Sequence, residues 1–263
     1  MEIHKTAIID PNAELGEGNY IGPNVVIDKN VKLGNNNWIG PGAIITGYTT
    51  IGNNNRIFGH AYIGAPPQDV AFKDDETYVK IGDNNIIREF STIHRGTAPG
   101  STTIIGNNNF LMVGAHVAHN CKIGSNIVMV NCASLGGYVE VDDYAFLGGF
   151  VIVHQFTRIG SYTMCGILTK ITKDVPPFML VDGNPATVYG VNIVGLRRRG
   201  FSAERRLLIQ RAYKILYRER NSLKTSLEKL NELAINDKNG DIKVLIDFIE
   251  KSKRGILLKS NVK

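Results

Sequence analysis

Aliphatic residues recur at every sixth position through most of the first 171 residues. Ile9, Leu15, Ile21, Ile27, Leu33, Ile39, Ile45, Ile51, Ile57 and Ile63 are each six apart. The same phase returns at Ile81, Ile87 and Ile93, then runs unbroken from Ile105 to Ile171. A glycine often follows the aliphatic residue, as at Gly22, Gly52, Gly106 and Gly148. A period of six fits neither the 3.6 of a helix nor the alternation of one long strand. It is the signature of a β-solenoid built from hexapeptides. One hexapeptide cannot bury its aliphatic side chain alone, so successive coils must share a core. Three hexapeptides close one triangular coil, which predicts that residues eighteen apart stack about 4.8 Å from each other.

The beat lapses twice. Between Gly64 and Lys80 the chain reads Ala65-Pro66-Pro67-Gln68-Asp69-Val70 and then Lys73-Asp74-Asp75-Glu76, and two prolines cannot continue a ladder. Thr97-Ala98-Pro99-Gly100-Ser101 is the second lapse. Loops on a rigid solenoid often carry function. Asn35, Asn53 and Asn107 differ by multiples of eighteen, which places them in one corner of the prism. Asparagine tolerates the left-handed backbone that tight corners need. Lys173-Asp174-Val175-Pro176-Pro177 ends the solenoid, and residues 178–200 read as irregular, with turn chemistry at Asp182-Gly183-Asn184-Pro185. Ser202 is a candidate N-cap. Three apolar faces follow, Leu208/Ile209/Ala212/Tyr213/Leu216/Tyr217, Leu223/Leu227/Leu230/Leu233 and Ile242/Leu245/Phe248/Ile249. They predict about three helices that cover the open end of the solenoid. The expected organisation is a β-helix over 1–190 with insertions at about 64–80 and 96–104, then an α-helical domain over 191–263.

Charge is unevenly spread. From Leu196 onward there are 18 Lys/Arg against 8 Asp/Glu, whereas the preceding residues hold 12 against 16. Such asymmetry points to an acidic or phosphorylated partner for the tail, although a solvated basic face is the plainer reading of charge alone. Cys121, Cys132 and Cys165 are odd in number and lack a framework spacing, and Cys165 falls on the aliphatic beat as a small core residue. With no signal peptide and no long apolar run, a reduced cytoplasmic location without an integral membrane segment is expected, and no nucleic-acid partner is expected.

Four of the six histidines, His94, His116, His119 and His154, lie in the middle of the chain. His116 and His119 are three apart around a corner, and stacking at eighteen puts His154 two coils above Ala118, beside the column of His119. A groove shared by His119 and His154, with His94 one or two coils below, is therefore expected. Three readings compete: corner or surface histidines, a metal site, and a general base. A metal site is disfavoured because no carboxylate or Cys completes a clear ligand set. A near-neutral imidazole suits removal of a proton from a hydroxyl or amine attacking a thioester.

Several motifs resemble the UDP-N-acetylglucosamine O-acyltransferase family. They are Ile93-His94-Arg95-Gly96, Gly114-Ala115-His116-Val117-Ala118-His119-Asn120-Cys121, Val153-His154-Gln155-Phe156, Asp174-Val175-Pro176-Pro177 and Gly195-Leu196-Arg197-Arg198-Arg199-Gly200-Phe201-Ser202. The resemblance spans essentially the whole chain and implies a left-handed parallel β-helix, an exception to the usual right-handed crossover. It implies a homotrimer with sites in the clefts between subunits. The donor would be a 3-hydroxyacyl chain on acyl carrier protein, and the acceptor the 3-position of a UDP-glucosamine derivative. His119 matches the general base, flanked by Asn120, and the Gly137 N–H matches the oxyanion donor. Gln68 and Asp69 match sugar contacts. His116, His154 and Gln155 match acceptor and thioester contacts, and Asn192, Arg198 and Arg199 match UDP contacts. His94 sits in the motif below, and Ile167 and Lys170 fall where the acyl chain would end. No metal, cofactor or covalent enzyme intermediate is implied.

The sequence departs from that pattern at four places. Asn120 follows the base histidine where Asp is usual, Tyr138 replaces a His of the sugar site, Ala71 replaces a Lys with Lys73 nearby, and Val194 replaces a Glu near the nucleotide. The changes fall in acceptor recognition and admit oxygen or nitrogen as the acceptor atom. Two rival readings remain, an acyl-CoA-dependent N-acyltransferase of a nucleotide-linked amino sugar and a metal-binding or non-catalytic trimeric solenoid.

Overall fold

The computed structural model describes residues 1–258, so Lys259 and Lys263 of the basic tail lie outside it. Most strands are two residues long, with the first side chain outward and the second buried. They assemble into three parallel sheets of 11, 9 and 8 strands, which form the three faces of a prism. The chain visits the faces in turn, for example Phe110–Leu111, His116–Val117 and Lys122–Ile123. The expected eighteen-residue register is present: Ile3 pairs with Ile21, Ile21 with Ile39 and Ile39 with Ile57. The beat residues are the core, with Ile21, Ile39, Ile57, Ile87, Leu111 and Leu147 at 0% exposure. The winding is that of a left-handed parallel β-helix with a C-terminal helical domain.

The two lapses leave the columns intact. Ile57 pairs with Ile87 and Ile87 with Leu111, so each excursion returns the chain to its own column in phase. Pairing of Ile93 with Val117 settles the position of His94, one coil below Ala118.

Corner chemistry is broader than the asparagine triplets suggest. The left-handed backbone recurs three residues after the aliphatic beat, at Asn36, Asn54 and Asn108 but also at Phe90, Tyr138, Tyr144, Phe150, Phe156 and Tyr162. That conformation costs a residue with a Cβ roughly 1–2 kcal/mol. Ring stacking between coils offsets part of it: Tyr138 lies 4.9 Å from Phe156 and Tyr144 lies 4.8 Å from Tyr162. Asn35, Asn53 and Asn107 do share one corner, with Asp83 between the last two. Each side-chain oxygen accepts from the backbone N–H one coil earlier, at 2.6–2.8 Å. Behind them Asn19, Asn37, Asn55, Asn85 and Asn109 form a buried amide ladder that satisfies backbone groups of successive coils.

The outward rows differ in character. The first face presents Tyr20, Trp38, Phe110, Val128, Phe146 and Met164. The third presents Glu14–Lys32 and Lys122–Glu140–Arg158 ion pairs. The second carries Thr92, His116, Ser134, Ile152 and Lys170.

Residues 178–200 are not irregular. Met179–Asp182 and Thr187–Val191 form an antiparallel hairpin that extends the first sheet. Val181 pairs with Cys165, sixteen residues away, so the six-residue phase is lost while the sheet continues. The helices are α1 (Ile193–Arg198), α2 (Ala203–Tyr217), α3 (Leu223–Ala234) and α4 (Asp241–Glu250). Ser202 caps α2 by accepting from the Arg205 N–H at 3.2 Å. Arg205 also pairs with buried Asp241 at 2.5 and 2.7 Å and stacks on Phe201, tying α2 to α4. The segment after α4 is fastened to the last coil by Arg254 Nε donating to the Thr172 carbonyl and Ser252 to Asp174, at 2.6 and 2.7 Å.

Candidate active site

His116 opens a strand of the second face and points outward, and His119 occupies the turn between the second and third faces. Strand pairing brings His94 alongside. Its ring meets His116 edge-on at 4.9 Å, and His116 Nδ1 lies 2.7 Å from Thr92 Oγ1. His94 is buried at 5% exposure. Burial first, then His116 and His119, lower its pKa to about 4. Burial, and after it His119, also pushes His116 below the usual imidazole range. Both rings are therefore neutral at pH 7. His94 Nδ1 is buried without a hydrogen-bond partner among the described residues.

His119 Nδ1 lies 3.0 Å from Asn120 Oδ1, and its ring meets Tyr138 edge-on at 5.4 Å. Opposite is Gly137. A Cβ there would sit 2.3 Å from His119 Cε1 and 2.5 Å from Nε2, so only glycine admits the imidazole. Asn120 is itself buried, with its N–H donating to Thr103 Oγ1 at 2.8 Å and its Oδ1 accepting from Thr97. Tyr138 and Phe156 continue as a stacked wall along this corner.

Gln68, Asp69 and Lys73 ride on the excursion between Ala65 and Tyr78, where Gln68 and Lys73 are exposed and Asp69 turns the loop by accepting from the Ala71 N–H. Arg95, missed by sequence reasoning, anchors this loop from below. Its Nη2 lies 2.5 Å from Asp74 Oδ1, and its guanidinium stacks on Phe72 at 5.2 Å. The Gly100 N–H donates to the Glu76 carbonyl and joins the two excursions. Thr97 was missed as well. Its position in the second lapse was the only signal in the sequence.

Asn192, Arg198 and Arg199 lie elsewhere, around a cavity of about 480 Å³ on the first face with Tyr144, Phe146, Tyr162 and Met164. Asn192 caps α1, accepting from the Gly195 N–H and donating to the Tyr162 carbonyl, and Arg199 stacks over Tyr144 at 4.8 Å. A single chain thus holds the histidines at one corner and the arginines on another face. His154 lies where eighteen-residue stacking predicts, two coils above Ala118, and its Nδ1 lies 3.0 Å from Arg254 Nη2. Gln155 is exposed in the column of His119 and Gly137, Ile167 is 63% exposed at the corner above Gly149, and Lys170 points outward on the second face. No cluster of three or more His, Cys, Asp or Glu among the described residues could hold a metal ion.

The prism of hexapeptide coils sets the architecture, and the relatives of the chain make it an acyltransferase. A family model described as UDP N-acetylglucosamine O-acyltransferase, domain 2, matches residues 174–257. The acyl-[acyl-carrier-protein]–UDP-N-acetylglucosamine O-acyltransferase of Thermodesulfovibrio yellowstonii is 48% identical over 256 residues, 97% of this chain and 98% of that protein. The UDP-N-acetylglucosamine acyltransferase structure from Francisella novicida superposes with a TM-score of 0.95 at 43% identity, covering 98% of this chain and 95% of that one. The Bacteroides fragilis structure gives 0.92 at 43% identity, covering 97% and 99%. The chain belongs to the acyl-[acyl-carrier-protein]–UDP-N-acetylglucosamine O-acyltransferase family.

Proposed function

We propose that this chain transfers a 3-hydroxyacyl group from acyl carrier protein to the 3-hydroxyl of UDP-N-acetylglucosamine, the first step of lipid A synthesis, in the cytoplasm and as a homotrimer. The observation that carries this reading is His119, held through Nδ1 by Asn120 and packed through Cε1 and Nε2 against Gly137. In the proposed reaction His119 Nε2 takes the proton of the acceptor hydroxyl as its oxygen bonds to the thioester carbon. The Gly137 N–H stabilises the oxyanion of the tetrahedral intermediate. Its collapse breaks the C–S bond, and the imidazolium returns the proton to the departing thiolate. Neutral His94 and His116, beside the base, suit contacts to sugar hydroxyls and place no second cation next to the forming imidazolium. Gln68 and Asp69 would reach the sugar from the loop. Ile152 and Ile167, 59% and 63% exposed, provide apolar surface leading away from His116 for the acyl chain, with His154 and Gln155 toward the thioester and Ile167 and Lys170 at its far end.

The homotrimer is supported by the separation of the two half-sites. The first face is apolar from Phe110 to Met164 and bears Asn192, Arg198 and Arg199, so a second copy set against the histidine corner would bring a phosphate-binding pair to the sugar. Mixing His119→Ala with Arg199→Ala chains in one assembly tests this arrangement. Each variant alone should lose activity, the first by roughly two to four orders of magnitude, while mixed trimers regain it because an intact His119 then faces an intact Arg199. Near-normal turnover by His119→Ala would end the base assignment, and a mixture without recovery would end the cross-subunit site.

A further inference from the structure

The second excursion delivers one residue to the base. At Gly96 a Cβ would lie 2.3 Å from Ser101 Oγ and 2.6 Å from its carbonyl oxygen, so the chain reverses there against its own backbone. Ala98 N–H donating to Ser101 Oγ and Ser101 N–H to the Ala98 carbonyl close the turn. This reversal sets Thr97 against Asn120. The Thr97 N–H donates to Asn120 Oδ1 at 3.0 Å, and Thr97 Oγ1 lies 3.0 Å from the same oxygen. Tyr138 Oη lies 3.0 Å from Thr97 Oγ1, and His119 Nδ1 lies 3.0 Å from Asn120 Oδ1.

One member of this network has no choice of role. A backbone N–H can only donate, so the Asn120 atom facing it is the carbonyl oxygen and not the amide nitrogen. That oxygen can only accept, so the Thr97 hydroxyl donates to it and in turn accepts from Tyr138. His119 Nδ1 must then carry a proton and donate as well, which leaves Nε2, the nitrogen against Gly137, unprotonated. A carboxylate would accept from Nδ1–H whichever way it turned. An amide is two-faced: flipped, it would present NH₂ to Nδ1, drive the proton to Nε2 and silence the base.

We propose that Thr97 is a positioning residue whose two donors lock the Asn120 amide with its oxygen toward His119, and so set the tautomer in which Nε2 is the base. The inference rests on the reading of His119 as the base, but its central observable needs no turnover. Long-range ¹H–¹⁵N spectra of ¹⁵N-histidine-labelled trimer, with His119 assigned by its loss in His119→Gln, report which nitrogen carries the proton. The wild type should show the Nδ1–H form alone. Thr97→Val should give a mixture of tautomers and lower kcat about fivefold, the worth of one hydrogen bond, with both KM values unchanged, and Thr97→Ser should restore kcat. A wild-type His119 protonated on Nε2 overturns the proposal whether or not the variants fold. So does a Thr97→Val enzyme with wild-type kcat and one tautomer. An active His119→Ala enzyme would instead overturn the base assignment and leave the measured tautomer standing.

Discussion

His94 ties acid sensitivity of the whole prism to the candidate site. The folded chain keeps its imidazole neutral down to about pH 4, with burial the main cause, whereas an unfolded histidine takes up its proton near pH 6.5. The stability this contributes is complete above pH 6.5, is lost as pH falls from 6.5 toward 4, and changes no further below that. One pKa unit is worth about 1.4 kcal/mol, so the gap of roughly 2.5 units amounts to about 3 kcal/mol. His94→Phe keeps a flat ring against His116 and cannot take a proton. Its stability should therefore fall less than that of the wild type between pH 7 and pH 4, by about 3 kcal/mol. Burial, the main cause of the His116 shift, is common to both proteins, so its contribution cancels in the difference between them along with the carboxylates. Urea unfolding followed by circular dichroism, at matched protomer concentration because assembly shifts apparent stability, measures the difference. Parallel stability curves from pH 7 to 4 would refute the reasoning, and His94→Leu guards against a ring too large for the site.

Arg95→Met should loosen the loop that carries Gln68 and Asp69 by removing the Asp74 ion pair and the Phe72 stack. Asp74 is largely exposed, so the expected cost is about 1 kcal/mol, seen as an acceptor KM raised about fivefold with kcat little changed. Asn55→Ala breaks the buried amide ladder and orphans the Asn85 backbone N–H that Asn55 Oδ1 satisfies; unfolding free energy should drop by about 2–3 kcal/mol in denaturant titration, without loss of turnover below the transition. Ile167→Gly removes an exposed branched side chain from the corner above Gly149 and should shift donor preference toward longer acyl chains, scored by product mass spectrometry across a chain-length panel. An unchanged profile would show that Ile167 does not limit chain length.

The six-residue beat was enough to derive the prism, because each coil has one inward position and only a repeating aliphatic residue can fill it. The eighteen-residue register followed from the same count, and so did the shared corner of Asn35, Asn53 and Asn107. Ser202 and the helix faces were legible because capping and amphipathic spacing are local properties. His116 and His119 stood out as a pair within one hexapeptide, but what surrounds them did not. The place of His154, two coils above Ala118, followed from the eighteen-residue count, but the contact of His94 with His116 depends on how many residues each excursion adds before the chain returns to its column. The hairpin at 179–191 was hidden because its pairing with the last coil falls out of the six-residue phase. Thr97 meets Asn120 across twenty-three residues, and Arg95 meets Asp74 across twenty-one. A repeat writes its own core into the sequence because every coil solves the same packing problem. The polar contacts that orient a base or hold a loop are made once, between segments that no periodicity relates, and only the folded chain decides them.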